Sequence, residues 1–161
     1  MSPVIEHNAN DLIALAAMLV AMSRRMGAID PQDEAVDHLC LAQVAMRAGN
    51  ETRALEFFAA AADGGEDRIA SEALFEAARV AKRAGDHARA RRWLHEALDR
   101  AAPEQEGVIH LALAKLYEHQ IRNLACAIEH ARHAATAETL EANERRLARL
   151  EKRVLTRGGL L

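Results

Sequence analysis

Aromatic residues are scarce: one Trp, one Tyr and three Phe amount to 3% of the 161 residues. Scarcity of these and of β-branched residues argues against sheets, which are enriched in both. Three prolines and eight glycines leave little room for disorder. The two cysteines, Cys40 and Cys126, sit in apolar helical stretches, outside any Cys-x-x-Cys or metal-ligand spacing. They read as reduced core thiols with no disulfide framework, which fits the cytoplasm. The longest apolar run, Leu12 to Met22, is too short to span a bilayer and lies between Asp11 and Arg24-Arg25. It lacks the basic leader and cleavage site of a signal peptide. The expectation is a soluble, cytoplasmic chain. No Gly-rich phosphate loop, Gly-x-Ser-x-Gly elbow or His-Glu-x-x-His sequence occurs, so no cofactor is expected.

What is abundant is Ala, Leu, Glu and Arg, the strongest helix formers, with 28% charged residues in all. The length suits one domain with a real core. Net charge is −3, but residues 1–76 hold 5 Lys/Arg against 13 Asp/Glu, or −8, and residues 77–161 hold 16 against 11, or +5. Such asymmetry fits a two-sided interaction surface; drift among solvent-facing positions produces it as well.

The strongest signal is internal repetition. Met46-Arg47-Ala48-Gly49-Asn50-Glu51-Thr52-Arg53-Ala54 matches Lys82-Arg83-Ala84-Gly85-Asp86-His87-Ala88-Arg89-Ala90 at an offset of 36. Phe58 and Leu94 follow, then Ala61 and Ala97. A third copy has Asn123, Ala127, Ala131 and Ala134, its alanines 37 residues beyond those of the second. Gly49 and Gly85 suit helix ends that need positive φ, and Asn50 and Asp86 suit the caps that follow. Alanines at i and i+7 keep one helix face small, so a paired helix can approach closely. The third copy has Gln120-Ile121-Arg122 in place of the glycine, which predicts a turn that is tighter or one residue longer.

The pattern predicts an all-α fold of antiparallel helix hairpins with about eight helices, near 10–25, 30–48, 51–63, 67–84, 87–101, 103–120, 123–136 and 138–156. Asp30-Pro31 and Pro103 read as helix starts, and Asp63-Gly64-Gly65 as a break between hairpins. The last helix, with Leu140, Leu147, Leu150 and Val154 recurring among Glu and Arg, reads as a polar-faced cap. Residues 34–137 resemble the tetratricopeptide repeat family. That resemblance implies three helix-turn-helix units in a right-handed superhelix whose concave face takes a peptide or protein segment. The expected organisation is an N-terminal helix over 1–27, three repeats over 30–137 and a capping helix over 138–161.

Residues 5–15 read Ile5-Glu6-His7-Asn8-Ala9-Asn10-Asp11-Leu12-Ile13-Ala14-Leu15. His-Asn-x-x-Asp before an apolar helix resembles the last motif of the ribonuclease-H-like exonuclease domain in YprB-type bacterial proteins, where tetratricopeptide-like helices follow. The segments Leu113–His119 and Ala127–Ala131 resemble that carboxy-terminal region too. The resemblance implies Asp11 as one of several carboxylates on two divalent metals and His7 as a nearby general base. One carboxylate cannot build a two-metal site, so His7 and Asp11 are expected to be vestigial and the chain no enzyme. Asn8, Asn10 or Asp11 equally fits a cap for the first helix.

Other candidates are weaker. His130 and His133 lie three apart on one predicted helix face, with His119 expected near them, but no ligand set is completed and no metal is expected. Lys82, Arg83, Arg89, Arg91 and Arg92, with Arg79, cluster on one hairpin beside Trp93 and form the best nucleic-acid candidate. A groove for a protein partner is expected along first-helix positions of each repeat: His38, Gln43, Leu74, Arg79, Leu111 and Lys115. The leading expectation is a non-catalytic scaffold for protein–protein interaction; the alternative is the accessory tail of a nuclease that contacts nucleic acid. Leu12, Leu15, Leu19 and Met22 also mark a face through which the first helix could form a homodimer.

Overall fold

The computed structural model describes residues 3–158, with side chains from 7 to 156. Among them are eight α-helices and no strand: α1 (Pro3–Gly27), α2 (Ala35–Arg47), α3 (Glu51–Gly64), α4 (Asp67–Arg83), α5 (His87–Asp99), α6 (Pro103–Leu116), α7 (Leu124–His133) and α8 (Leu140–Gly158). The all-α expectation holds. Helices α2 with α3, α4 with α5 and α6 with α7 form hairpins, and each hairpin packs on the next; α8 closes the stack against α7.

The turn chemistry explains the repeat. Gly49 and Gly85 adopt φ of +75° and +81°, the left-handed region that only glycine enters without steric cost. The amides of Asn50 and Asp86 then donate to the carbonyls of Ala45 and Ala81, five residues back, closing a Schellman turn. Their side chains turn the other way and accept from the amides of Arg53 and Arg89 at 3.1 and 3.0 Å, capping α3 and α5. The alanines that follow, Ala54, Ala61, Ala90, Ala97, Ala127 and Ala134, are all buried, as close helix approach requires.

The third copy solves the same problem without glycine. A π-helical turn, Tyr117–Ile121, inserts one residue at the end of α6. The closing bond therefore reaches six residues back, from the Asn123 amide to the Tyr117 carbonyl at 3.0 Å. Arg122 takes the left-handed position with φ of 61°, the one non-glycine residue there among those described. Of the two predicted forms, the longer turn is the one present, and it accounts for the period of 37. Asn123 caps α7 by accepting from the Cys126 amide at 3.1 Å.

Three expectations are corrected. Asp30-Pro31 does not start a helix: the Asp30 carboxylate accepts from the amide of Gln32, two residues on, which makes an Asx turn, and α2 begins at Ala35. The first helix starts at Pro3, so Asn8, Asn10 and Asp11 lie inside it and cap nothing. Cys40 is exposed and Cys126 half-buried, so neither is a fully buried core thiol. In α8, Leu150 is fully buried and Leu147 packs on the core, whereas Leu140 and Val154 are exposed. Gly65 serves packing: a Cβ there would lie 2.6 Å from the Ala61 carbonyl and 3.0 Å from the Ala35 Cβ.

Candidate functional site

A groove runs between α4 and α6, the first helices of adjacent hairpins. Phe75, Val108 and Leu111 form its apolar floor, and Arg79, Lys82 and Lys115 stand around one end in a cavity of about 210 Å³. A neighbouring cavity of about 200 Å³ shares Phe75 and Val108 and ends at Glu72 and Glu104. The groove is thus bipolar, basic at one end and acidic at the other. Its lining is repetitive as well: Phe75 and Leu111, like Arg79 and Lys115, are 36 residues apart. Arg79 is steadied by Glu76 at 2.8 Å, one turn back on the same helix.

Of the expected groove residues, the fold brings together Arg79, Leu111 and Lys115. Leu74 and His38 are instead buried in the core. His38 stacks on Phe57 with ring centroids 6.3 Å apart. Gln43 is exposed on α2 and lines none of these cavities.

The basic residues of the second hairpin do not form one strip. Lys82 faces the groove. Arg83 lies 3.8 Å from Glu51 of the preceding hairpin, and Arg89 pairs with Asp86 at 3.2 Å while its guanidinium lies over Trp93 at 5.6 Å. Arg89, Arg91 and Arg92 border a further cavity of about 740 Å³, but Asp86, Glu96 and Asp99 border it too. This surface is mixed in charge.

A cluster that spacing alone did not reveal joins three helices. His95 of α5, His110 of α6, and His130 and His133 of α7 form a chain of ring contacts in which His95 and His130 meet Tyr117. His95 Nε2 lies 3.0 Å from the Tyr117 hydroxyl, and His110 Nδ1 lies 3.0 Å from His130 Nδ1. Tyr117 and His130 stack almost parallel, at 7° and 5.5 Å, and His110 stacks on His133 at 4.9 Å. Burial and then the neighbouring His110 and His95 push the His130 imidazole down to about 4. Burial, followed by His133, lowers His110 as well, and burial raises the Tyr117 phenol. At neutral pH His110 and His130 are therefore uncharged, one ring donating its N–H and the other accepting. His119, expected here, lies instead 3.6 Å from Glu118. The π-helical turn rotates it away. Among the described residues no group of three or more His, Cys, Asp or Glu is placed to hold a metal ion.

The π-helical turn has a second effect. It sends Glu118, only 2% exposed, into the seam under α8, where both carboxylate oxygens accept from Arg149 at 2.8 and 2.9 Å and one accepts from Arg153 at 2.9 Å. Arg146 binds Glu138 through two bonds of 2.8 and 3.0 Å, which hold the Glu138 carboxyl below its ordinary range. The last helix is clamped by ions around a single leucine layer.

At the other end, His7 Nε2 and Asp11 Oδ2 lie 3.5 Å apart, one turn apart on α1, both strongly exposed. Nothing in the described structure adds further carboxylates to them. No protein-family model and no curated protein matches the chain.

Proposed function

We propose that the chain is a non-catalytic scaffold of tetratricopeptide type, a right-handed superhelix of three hairpins that binds a protein segment. The groove between α4 and α6 carries this reading, because repeat-equivalent residues supply both its apolar floor and its basic end. Its ligand is a segment with one bulky apolar residue seated on Phe75, Val108 and Leu111 and an acidic residue beside Arg79, Lys82 and Lys115. The thiols of Cys40 and Cys126 are free, which supports a cytoplasmic setting. Among the described residues no helix is long and apolar enough to cross a membrane. A random-peptide display selection against the whole chain tests the reading. It should enrich peptides with an apolar–acidic pattern whose binding falls at least tenfold in Lys82→Glu/Lys115→Glu. No enrichment, or peptides indifferent to those changes and to Leu111→Ser, would sink it.

A second reading makes the chain the accessory tail of a ribonuclease-H-like exonuclease of the YprB type, touching nucleic acid. Arg91 and Arg92 beside His95 and Tyr117 favour it; Asp86, Glu96 and Asp99 on the same cavity weigh against it. It requires binding to single-stranded DNA or RNA at low salt that weakens when Arg89, Arg91 and Arg92 become Ala.

A further inference from the structure

Among the described residues, α1 is held only at its carboxy-terminal end. Arg25 pairs with Asp33 and with Asp37, the latter at 3.1 Å. The Met26 carbonyl accepts from Arg53 Nε at 2.9 Å, and the Met26 side chain reaches the core. Beyond that, Leu12, Ile13, Leu15, Met18, Leu19, Val20 and Met22 are between 51% and 67% exposed. A helix apolar around most of its surface is normally buried, and scattered exposure does not explain a continuous run of this kind.

Leu12, Leu15, Leu19 and Met22 recur at the 3-4 spacing of a coiled-coil seam, which Met26 extends toward the scaffold. With Met18 beside them, five side chains at on the order of 100 Å² each offer about 500 Å² per copy. Two such faces reach the roughly 1,000 Å² that a specific interface needs. Charge decides the orientation. The half of the chain attached to α1 carries −8 over residues 1–76. A parallel pair would hold two such halves side by side. An antiparallel pair with Leu12 opposite Met22 sets the two ends of α1 that join the scaffolds 20 residues or about 30 Å apart, several Debye lengths at physiological salt.

We propose that α1 is the dimerisation element of this chain, pairing antiparallel with α1 of a second copy so that Leu12 meets Met22 and Leu15 meets Leu19 across a two-fold axis. The interface is small, so the dimer dissociates in the micromolar range and the two grooves lie at opposite ends.

Sedimentation velocity on the whole chain from ~2 to ~200 μM should show the mass rising from 17.6 kDa toward twice that value. Leu15→Asp/Leu19→Asp should remain monomeric throughout and melt like the wild-type chain at concentrations below dimerisation, since neither side chain touches the core. In a Cys40→Ser/Cys126→Ser background, oxidised Leu12→Cys alone should not cross-link, whereas Leu12→Cys/Met22→Cys should form a covalent dimer. A chain monomeric up to ~200 μM overturns the proposal. So does a dimer that survives Leu15→Asp/Leu19→Asp, a cross-link through Leu12→Cys alone, or a monomer that pellets with phosphatidylcholine–phosphatidylserine vesicles. The groove plays no part in these readouts, so peptide binding and dimerisation fail separately.

Discussion

α1 and α8 bracket the stack and are held in opposite ways. α1 is the more apolar, yet among the described residues almost none of its apolar surface is covered by its own chain. α8 is among the most charged helices, yet it is docked by Leu150 and by arginines converging on Glu118 and Glu138. Apolar content alone therefore does not decide whether a terminal helix packs on its own stack. A single buried leucine flanked by satisfied ion pairs closes one end and leaves a polar outer face, as a repeat array needs. At the other end, three turns of apolar surface stay uncovered.

Truncating the two helices separates these roles most sharply. Leu150→Ala should cost about 3 kcal/mol in denaturant unfolding, because the cavity it leaves lies under α8. Leu15→Ala should change monomer stability by less than ~0.5 kcal/mol. Equal losses would erase the comparison.

The ion clamp comes next. Glu118→Gln should cost about 2 kcal/mol, less than a fully buried pair, because the side chains of Arg149 and Arg153 are 53% and 39% exposed and can rehydrate. Hydrogen exchange should then quicken in α8 and the π-helical turn, with α2 and α3 unchanged. Uniform acceleration would mean that α8 is not a separate cap.

Acid should weaken the α8 side of the stack selectively. His130 titrates near 4 in the fold, below the ordinary 6.5, so the unfolded chain takes up its proton first as pH falls. The contribution of His130 is undiminished above about pH 6.5, is lost between 6.5 and about 4, and changes no further below that. Allowing for the ring's partial access to water, the loss is about 1–2 kcal/mol, with His110 adding in the same direction. Unfolding of His130→Phe at pH 7 and pH 5 should show a smaller pH dependence; an unchanged one would contradict the assignment. The smallest effect is at Arg122, where replacement by Gly should raise stability by about 0.5–1 kcal/mol by removing left-handed strain.

Much of this was legible beforehand because turn chemistry is local. Gly49-Asn50 and Gly85-Asp86 each encode a helix end and the next cap within two residues, so period and hairpins followed. Asp30-Pro31 misled for the same reason: an Asp that accepts an amide two residues on looks, in sequence, like one that accepts it three residues on. Arg122 carried no glycine signal, and only the offset of 37 betrayed the inserted residue. Of the positions expected on one surface, Arg79, Leu111 and Lys115 line one cavity, whereas His38 and Leu74 are buried, a difference of helix rotation that periodicity does not resolve. The histidine cluster was the least visible part. His95, His110 and His130 come from three helices, and no spacing within one helix connects them.

The claim that binding occurs in the α4–α6 groove is tested most directly by titrating the isotopically labelled chain and following backbone amides by NMR. One titration uses a short peptide pairing a bulky apolar residue with an acidic one; the other uses a single-stranded oligonucleotide at low salt. The account predicts that the peptide shifts the amides of Phe75, Arg79, Leu111 and Lys115, and that the oligonucleotide leaves them in place. Peptide-silent groove amides, with oligonucleotide shifts centred on Arg89, Arg91 and Arg92, would contradict it.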